Sequence, residues 1–171
     1  GVTVHRLEPV DGEAGLSLFA RDPAIVVGDH LVEGSPRRAY RQRERFGLRT
    51  IARRMAEQRA ARWSAVPTGA PNGVDGPYLE GGDVLLNGRE VYVGMSGCAS
   101  DLFGADWLQA LLGERYRVIA VAMRSHVRHL EDCLALVRPG LLVHSPDRLI
   151  DGLPMSVRGW ETIAVSPEEA A

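Results

Sequence analysis

Asp83-Val84-Leu85-Leu86-Asn87-Gly88-Arg89-Glu90-Val91-Tyr92-Val93 reads as a β-hairpin. Two apolar runs flank Asn87-Gly88. That pair between such runs marks a tight turn in which both residues take positive φ. Downstream, 103–112 reads as a helix and 117–122 as a returning strand. The order is strand, strand, helix, strand.

The same order recurs on both sides. Residues 24–28 and 30–33 read as strands around Gly28-Asp29. Ser35-Pro36 then opens a helix to about 61, with Leu48, Ile51, Ala52 and Met55 spaced by three and four. Residues 63–66 close that unit before Pro67, and a loop rich in Gly and Pro covers 67–77. On the other side come strands over 133–137 and 141–144, separated by Arg138-Pro139-Gly140. A short helix over 149–157 and a strand over 162–165 complete the unit. An internal repeat of about 50–60 residues signals a ring or stack of supersecondary units. Each unit opens beside an acidic residue: Asp22, Asp83 and Glu131.

The 171 residues suit one domain, at roughly 150 residues per domain, and can bury a core without metals or disulfides. Twenty basic against 22 acidic residues give a net charge of −2. Total charge therefore does not drive the chain onto nucleic acid or membrane. No apolar run approaches the about 18 residues of a membrane span, and no signal-peptide pattern opens the chain; a cytoplasmic protein is expected. Cys98 and Cys133 are too few for a disulfide framework and read as reduced thiols. Every basic residue is Arg, and with abundant Ala, Gly and Val this suggests GC-rich coding. Residues 37–62 hold ten Arg and two Glu, a net +8, which leaves −10 on the rest of the chain. Such a stretch could face nucleic acid. Its only interleaved aromatics are Tyr40 and Phe46, so a solvated amphipathic helix is the expectation.

Glu80-Gly81-Gly82-Asp83, His129-Leu130-Glu131 and Arg21-Asp22-Pro23 together resemble motifs of the guanidino-group-modifying enzymes of the pentein fold. Within that superfamily the chain resembles the arginine:glycine and inosamine-phosphate amidinotransferases. Val26-Val27-Gly28-Asp29 runs on to Glu33, Arg41, Glu44 and Arg49 as in that family, and Trp63 and Pro67 close the unit. Gly104-Ala105-Asp106-Trp107, Tyr116-Arg117-Val118, Pro139-Gly140, Pro146-Asp147-Arg148 and Gly159-Trp160 extend the resemblance over nearly the whole chain. It implies an α/β propeller of five ββαβ modules around a pseudo-fivefold axis, with the active site in the central channel. About three of the five modules are represented, over 19–68, 78–123 and 127–166 of a single partial domain spanning 1–171. Residues 1–9 resemble the last strand of module one, and the sequence stops where module five should begin. The family's nucleophilic Cys lies in module five and has no counterpart among these residues.

Amidino transfer needs a thiolate to attack the guanidinium carbon, carboxylates to hold the planar cation, and an acid/base such as His. The resemblance implies that His129 is the acid/base and that Asp83 orients it or holds the guanidinium. It makes Asp22 and Glu131 guanidinium-binding carboxylates and Arg148 the partner of the substrate α-carboxylate. The implied function moves the amidino group of arginine to an amine through a cysteine-bound intermediate, as in secondary metabolism. No cofactor and no metal are implied. A hydrolase of the arginine deiminase or dimethylarginine hydrolase type is the alternative, as is a non-catalytic guanidino-binding or assembly protein. Three modules alone leave sheet edges uncovered, so a homo-oligomer or a partner chain completing the ring is a further expectation. Four positions depart from the family: Glu131 replaces Asp, Arg128 stands where the glycine-type enzyme has Met, and Ser100-Asp101 replace Thr-Asn. They leave the acceptor open. His126, His129 and Cys133 have tolerable metal spacing but lack a second ligand pair. Neither Cys98, on a loop, nor Cys133, alternating with Leu134 and Leu136, occupies the nucleophile position.

Overall fold

A computed structural model describes residues 4–7, 9–10, 19–70, 73, 75–166 and 168. The strand expected over 1–9 lies partly outside these, and the described residues there are not in a strand. Among the described residues, nine strands form three separate sheets. They are β1 (Ala24–Val27), β2 (His30–Glu33) and β3 (Arg62–Ala65); β4 (Val84–Asn87), β5 (Glu90–Met95) and β6 (Arg117–Ala122); β7 (Leu134–Arg138), β8 (Leu141–His144) and β9 (Glu161–Ala164). In every sheet the middle strand is antiparallel to the first and parallel to the third. One hydrogen bond repeats in all three. The N–H opening the third strand donates to the hairpin loop: Arg62 to Asp29 at 2.9 Å, Arg117 to Arg89 at 2.8 Å, Glu161 to Gly140 at 2.9 Å.

The hairpin that decided the reading turns one residue later than expected. Asn87 pairs with Glu90, so the loop is Gly88-Arg89 and positive φ falls on Gly88 alone, at 60°. The β1–β2 loop is equivalent, with Gly28 also at 60°. Positive φ at the first loop residue suits a hairpin turn matched to the strand twist, and only Gly enters it freely. The third loop uses Pro139-Gly140 with φ 84° at the glycine, the proline-then-glycine order of a type II turn.

The long helix expected over 35–61 is shorter. Two 3-10 turns, Ala39–Arg41 and Glu44–Leu48, precede α1 (Arg49–Arg59). Arg41, Glu44 and Arg45 lie inside the protein, so the solvated face expected for this stretch holds only for its exposed members. Irregular turns let those three side chains point inward, where a regular amphipathic helix would alternate them with solvent. The helix expected over 149–157 reduces to a 3-10 turn, Met155–Val157. Gly152 at φ 70° and Pro154 interrupt it. The strand expected from Cys133 begins at Leu134.

α2 (Leu102–Leu112) connects β5 to β6. Its N-cap, Asp101, accepts from Gly104 N–H at 2.9 Å and also from Gly76 and Tyr78 N–H at 2.7 and 3.0 Å. One carboxylate thus starts the helix and fixes the segment leading to Glu80. One apolar core joins the first two sheets through Ile25, Val32, Val84, Val93 and Leu108. A second joins the last two through Tyr92, Val121, Leu130, Leu134 and Leu142. Ser35 and Leu79 exchange backbone hydrogen bonds at 2.8 and 3.0 Å, which ties the first unit to the second. Among the described residues no helix is long and apolar enough to cross a membrane.

Candidate active site

Two short turns build the site. Gly81–Asp83 turns the chain into β4, and Leu130–Asp132 turns it into β7. Asp83 joins them: its oxygens accept from Leu130 N–H at 3.0 Å and Ser100 N–H at 3.1 Å. Asp132 accepts from the backbone N–H of His129 at 3.0 Å. The imidazole is therefore presented from a fixed backbone.

Asp83 does not hydrogen-bond that imidazole; Glu80 does. Glu80 Oε2 lies 3.1 Å from His129 Nε2, with both side chains buried. Asp22 Oδ1 stands 3.9 Å from Nδ1 on the other side. Gly82 permits this approach, since a Cβ there would sit 2.7 Å from His129 Cγ and 2.8 Å from Asp22 Oδ1. Asp22, Asp83, His129 and Glu131 thus gather in one place. Arg148 stands apart, donating to the Asp132 carbonyl at 3.0 Å, and shares a cavity of about 210 Å³ with Glu131.

Behind the imidazole sits a buried guanidinium. Arg41 reaches Asp22 at 2.8 Å, Glu44 at 2.9 Å and Glu80 at 3.1 Å. Burial opposes its charge, but these carboxylates outweigh burial and hold it above the ordinary arginine range. At the mouth, half-exposed Glu131 pairs with Arg21 Nε. Sequence reasoning quoted Glu80, Arg41 and Glu44 as motif positions but gave them no role. The available signal was a carboxylate immediately before Gly81-Gly82.

Formal charges are −4 from Asp22, Glu44, Glu80 and Glu131 against +3 from Arg21, Arg41 and protonated His129. The site is net negative, and more so when Asp83 ionises. Burial works against the His129 charge, yet the Glu80 hydrogen bond and the nearby charges of Asp22, Asp83 and Glu80 prevail and raise its pKa. Burial pushes Asp83 up to about 7, against the hydrogen bonds from Ser100 and the charge of His129. Burial also raises Glu131, with Arg21 opposing.

Both raised values act in one direction on stability. The His129 contribution is complete below its unfolded value of 6.5 and is lost as pH rises through the higher folded value. The Asp83 contribution is complete below 3.8 and is lost as pH rises through about 7. Urea unfolding should therefore show stability falling as pH rises from about 4 to about 7 through Asp83, and falling further above 6.5 through His129. Asp83→Asn should flatten that slope while lowering the plateau.

Asp22, His129 and Glu131 each offer an atom within 4.8 Å of the others. A metal there would require neutral imidazole, whereas these carboxylates favour the protonated ring. Among the described residues His126 and Cys133 do not converge with His129 at ligand spacing. Cys133 is buried, its Sγ faces the Leu130 carbonyl, and burial pushes its thiol up to about 11. That value keeps it a thiol near neutral pH. Cys98 Sγ donates to the Ser125 carbonyl at 3.1 Å.

Comparison with solved structures decides the architecture. The chain superposes on the inosamine-phosphate amidinotransferase of Streptomyces griseus with a TM-score of 0.70 at 24% identity, covering 84% of this chain and 45% of that one. The N-terminal domain of ArgZ, a cyanobacterial arginine dihydrolase, gives 0.76 at 19% identity, over 96% of this chain and 57% of that one.

The chain has the pentein fold.

Its three sheets are pentein units, and both transferases and hydrolases share them. Among curated proteins, a Streptomyces griseus chain provisionally named inosamine-phosphate amidinotransferase 2 is 29% identical over 191 aligned residues, covering 95% of this chain and 54% of its own length. The present chain spans about half the length of the relatives it resembles. No established family profile matches the sequence.

Proposed function

We propose that this pentein chain supplies the guanidino-binding and proton-transfer part of an enzyme that moves the amidino group of arginine to an amine. The Glu80–His129–Asp22 arrangement carries the reading: a buried imidazole, hydrogen-bonded to one carboxylate and facing another, in a net negative site. Glu80 takes the orienting role expected of Asp83, and Asp83 holds the two turns together.

Asp22 and Glu131 receive the donor guanidinium, and Arg148 receives the α-carboxylate as a planar fork. A thiolate supplied by a module outside these 171 residues attacks the guanidino carbon and forms a C–S bond. The His129 imidazolium gives its proton to the departing nitrogen as the C–N bond breaks, releasing ornithine. Neutral His129 then takes a proton from the acceptor amine as that nitrogen bonds to carbon. The C–S bond breaks and the thiolate returns. In the hydrolase outcome the other C–N bond breaks: ammonia leaves with the His129 proton, the ornithine nitrogen stays on the thiolate-bound carbon, and water then attacks that carbon to release citrulline and the thiolate, a second reading supported by the likeness to ArgZ.

Arginine labelled at the guanidino carbon separates the readings. With an added amine, the expected products are ornithine and a new labelled guanidino compound. Citrulline with ammonia, formed without any amine, would select hydrolysis. Labelled arginine that neither binds nor reacts would remove both.

A further inference from the structure

We infer that the cavity between the 38–41 turn and the 125–128 loop is an oxyanion subsite for the amine acceptor; the inference rests on the amidino-transfer reading above. This cavity, of about 280 Å³, is lined by Arg38, Arg41, Glu80, Ser125, His126 and Arg128 among others. It touches the catalytic pair through Glu80, while Glu131 and Arg148 line a separate cavity.

The two cavities differ in charge. Three arginines against one glutamate give the first a formal +2. Arg41 is already held by Asp22, Glu44 and Glu80. The guanidinium groups of Arg38 and Arg128 take no acidic partner among the described residues, whereas exposed Arg62, Arg115 and Arg138 each do. Two uncommitted planar forks on facing walls suit a carboxylate or phosphate, which an arginine binds through paired hydrogen bonds. Their charge also disfavours the ammonium form of a nearby amine, keeping its lone pair available for attack.

The wall is fixed. Val127 is buried in the second core and its N–H donates to the Arg124 carbonyl at 3.0 Å. Cys98 Sγ ties the same loop through Ser125. Glu80 lines the same cavity as Arg128 and lies 3.1 Å from His129 Nε2, so an anion held by Arg128 sits in a cavity that adjoins the catalytic pair.

Inorganic phosphate and acetate, titrated separately, test the subsite. Saturable binding of at least one is expected, weakened about tenfold or more in Arg38→Gln and in Arg128→Gln, and retained in His129→Gln. Arginine affinity should stay unchanged in both arginine variants. Phosphate preferred over acetate identifies a phosphate-bearing acceptor, and the reverse a carboxylate-bearing one. During turnover, Arg128→Gln should lower kcat/KM about tenfold for O-phosphoethanolamine or glycine, but not for ethanolamine. Equal losses for charged and neutral amines, or absence of saturable anion binding, would overturn the subsite. Phosphate binding through Arg128 in a protein that does not bind arginine would instead remove the amidino reading on which the acceptor role rests.

Discussion

His129→Asn is expected to lower kcat/KM for arginine about 100- to 10,000-fold, the range supplied by a positioned acid/base. Asn keeps a polar side chain facing Glu80 but carries no transferable proton. Arginine binding should persist, because Asp22 and Glu131 are assigned that task. Steady-state rates and calorimetry on the same variant read the two effects apart. Glu80→Gln is the companion, since Glu80 acts through the imidazole, 3.1 Å away. It removes a charge that favours the imidazolium. Leaving-group protonation needs that imidazolium, so activity declines as pH rises through the His129 pKa. In Glu80→Gln that decline should move to lower pH. An unshifted pH profile would mean that Glu80 is merely structural.

Arg41→Met is expected to destabilise the protein by about 3–5 kcal/mol, the range for breaking a buried ion pair from one side. Arg41 is 3% exposed, and its loss leaves Asp22, Glu44 and Glu80 crowded without their shared counter-charge. Urea unfolding of the variant beside the parent protein checks both the size and the sign. Arg62→Met breaks an exposed pair with Asp29 and should change stability little. A similar small effect for Arg41→Met would show that the buried network is not structural.

The strand order was legible because β-hairpins carry local signals. Apolar runs around Gly28-Asp29, Asn87-Gly88 and Arg138-Pro139-Gly140 marked all three sheets. The turn register was not, because Asn-Gly alone does not decide which pair closes the ladder. Asn87 joins β4, and the glycine moves to the first loop position. The helix over 35–61 misled for a physical reason. Its ionic residues looked solvated, but Arg41 and Arg45 find buried partners on other segments, Glu80 and Glu33, and Glu44 is buried against Arg41. Periodicity reports a face, and it does not report which charges a distant segment will neutralise. The same limit hid Glu80. Two carboxylates flank Gly81-Gly82, and the 3-10 turn between them sends Glu80 to the imidazole and Asp83 to backbone N–H groups. Asp22, His129 and Glu131 were legible only through their motifs, since each one alone is an ordinary turn residue.

An imidazole NMR titration of His129, with and without L-arginine, tests the central claim most directly. The site described here predicts a pKa above 6.5, lowered in Glu80→Gln. It also predicts ring resonances that move on adding arginine but not on adding norleucine, which lacks the guanidinium. An imidazole that titrates at or below 6.5 and ignores arginine would contradict the assignment of this cluster as a guanidino site with His129 as its acid/base.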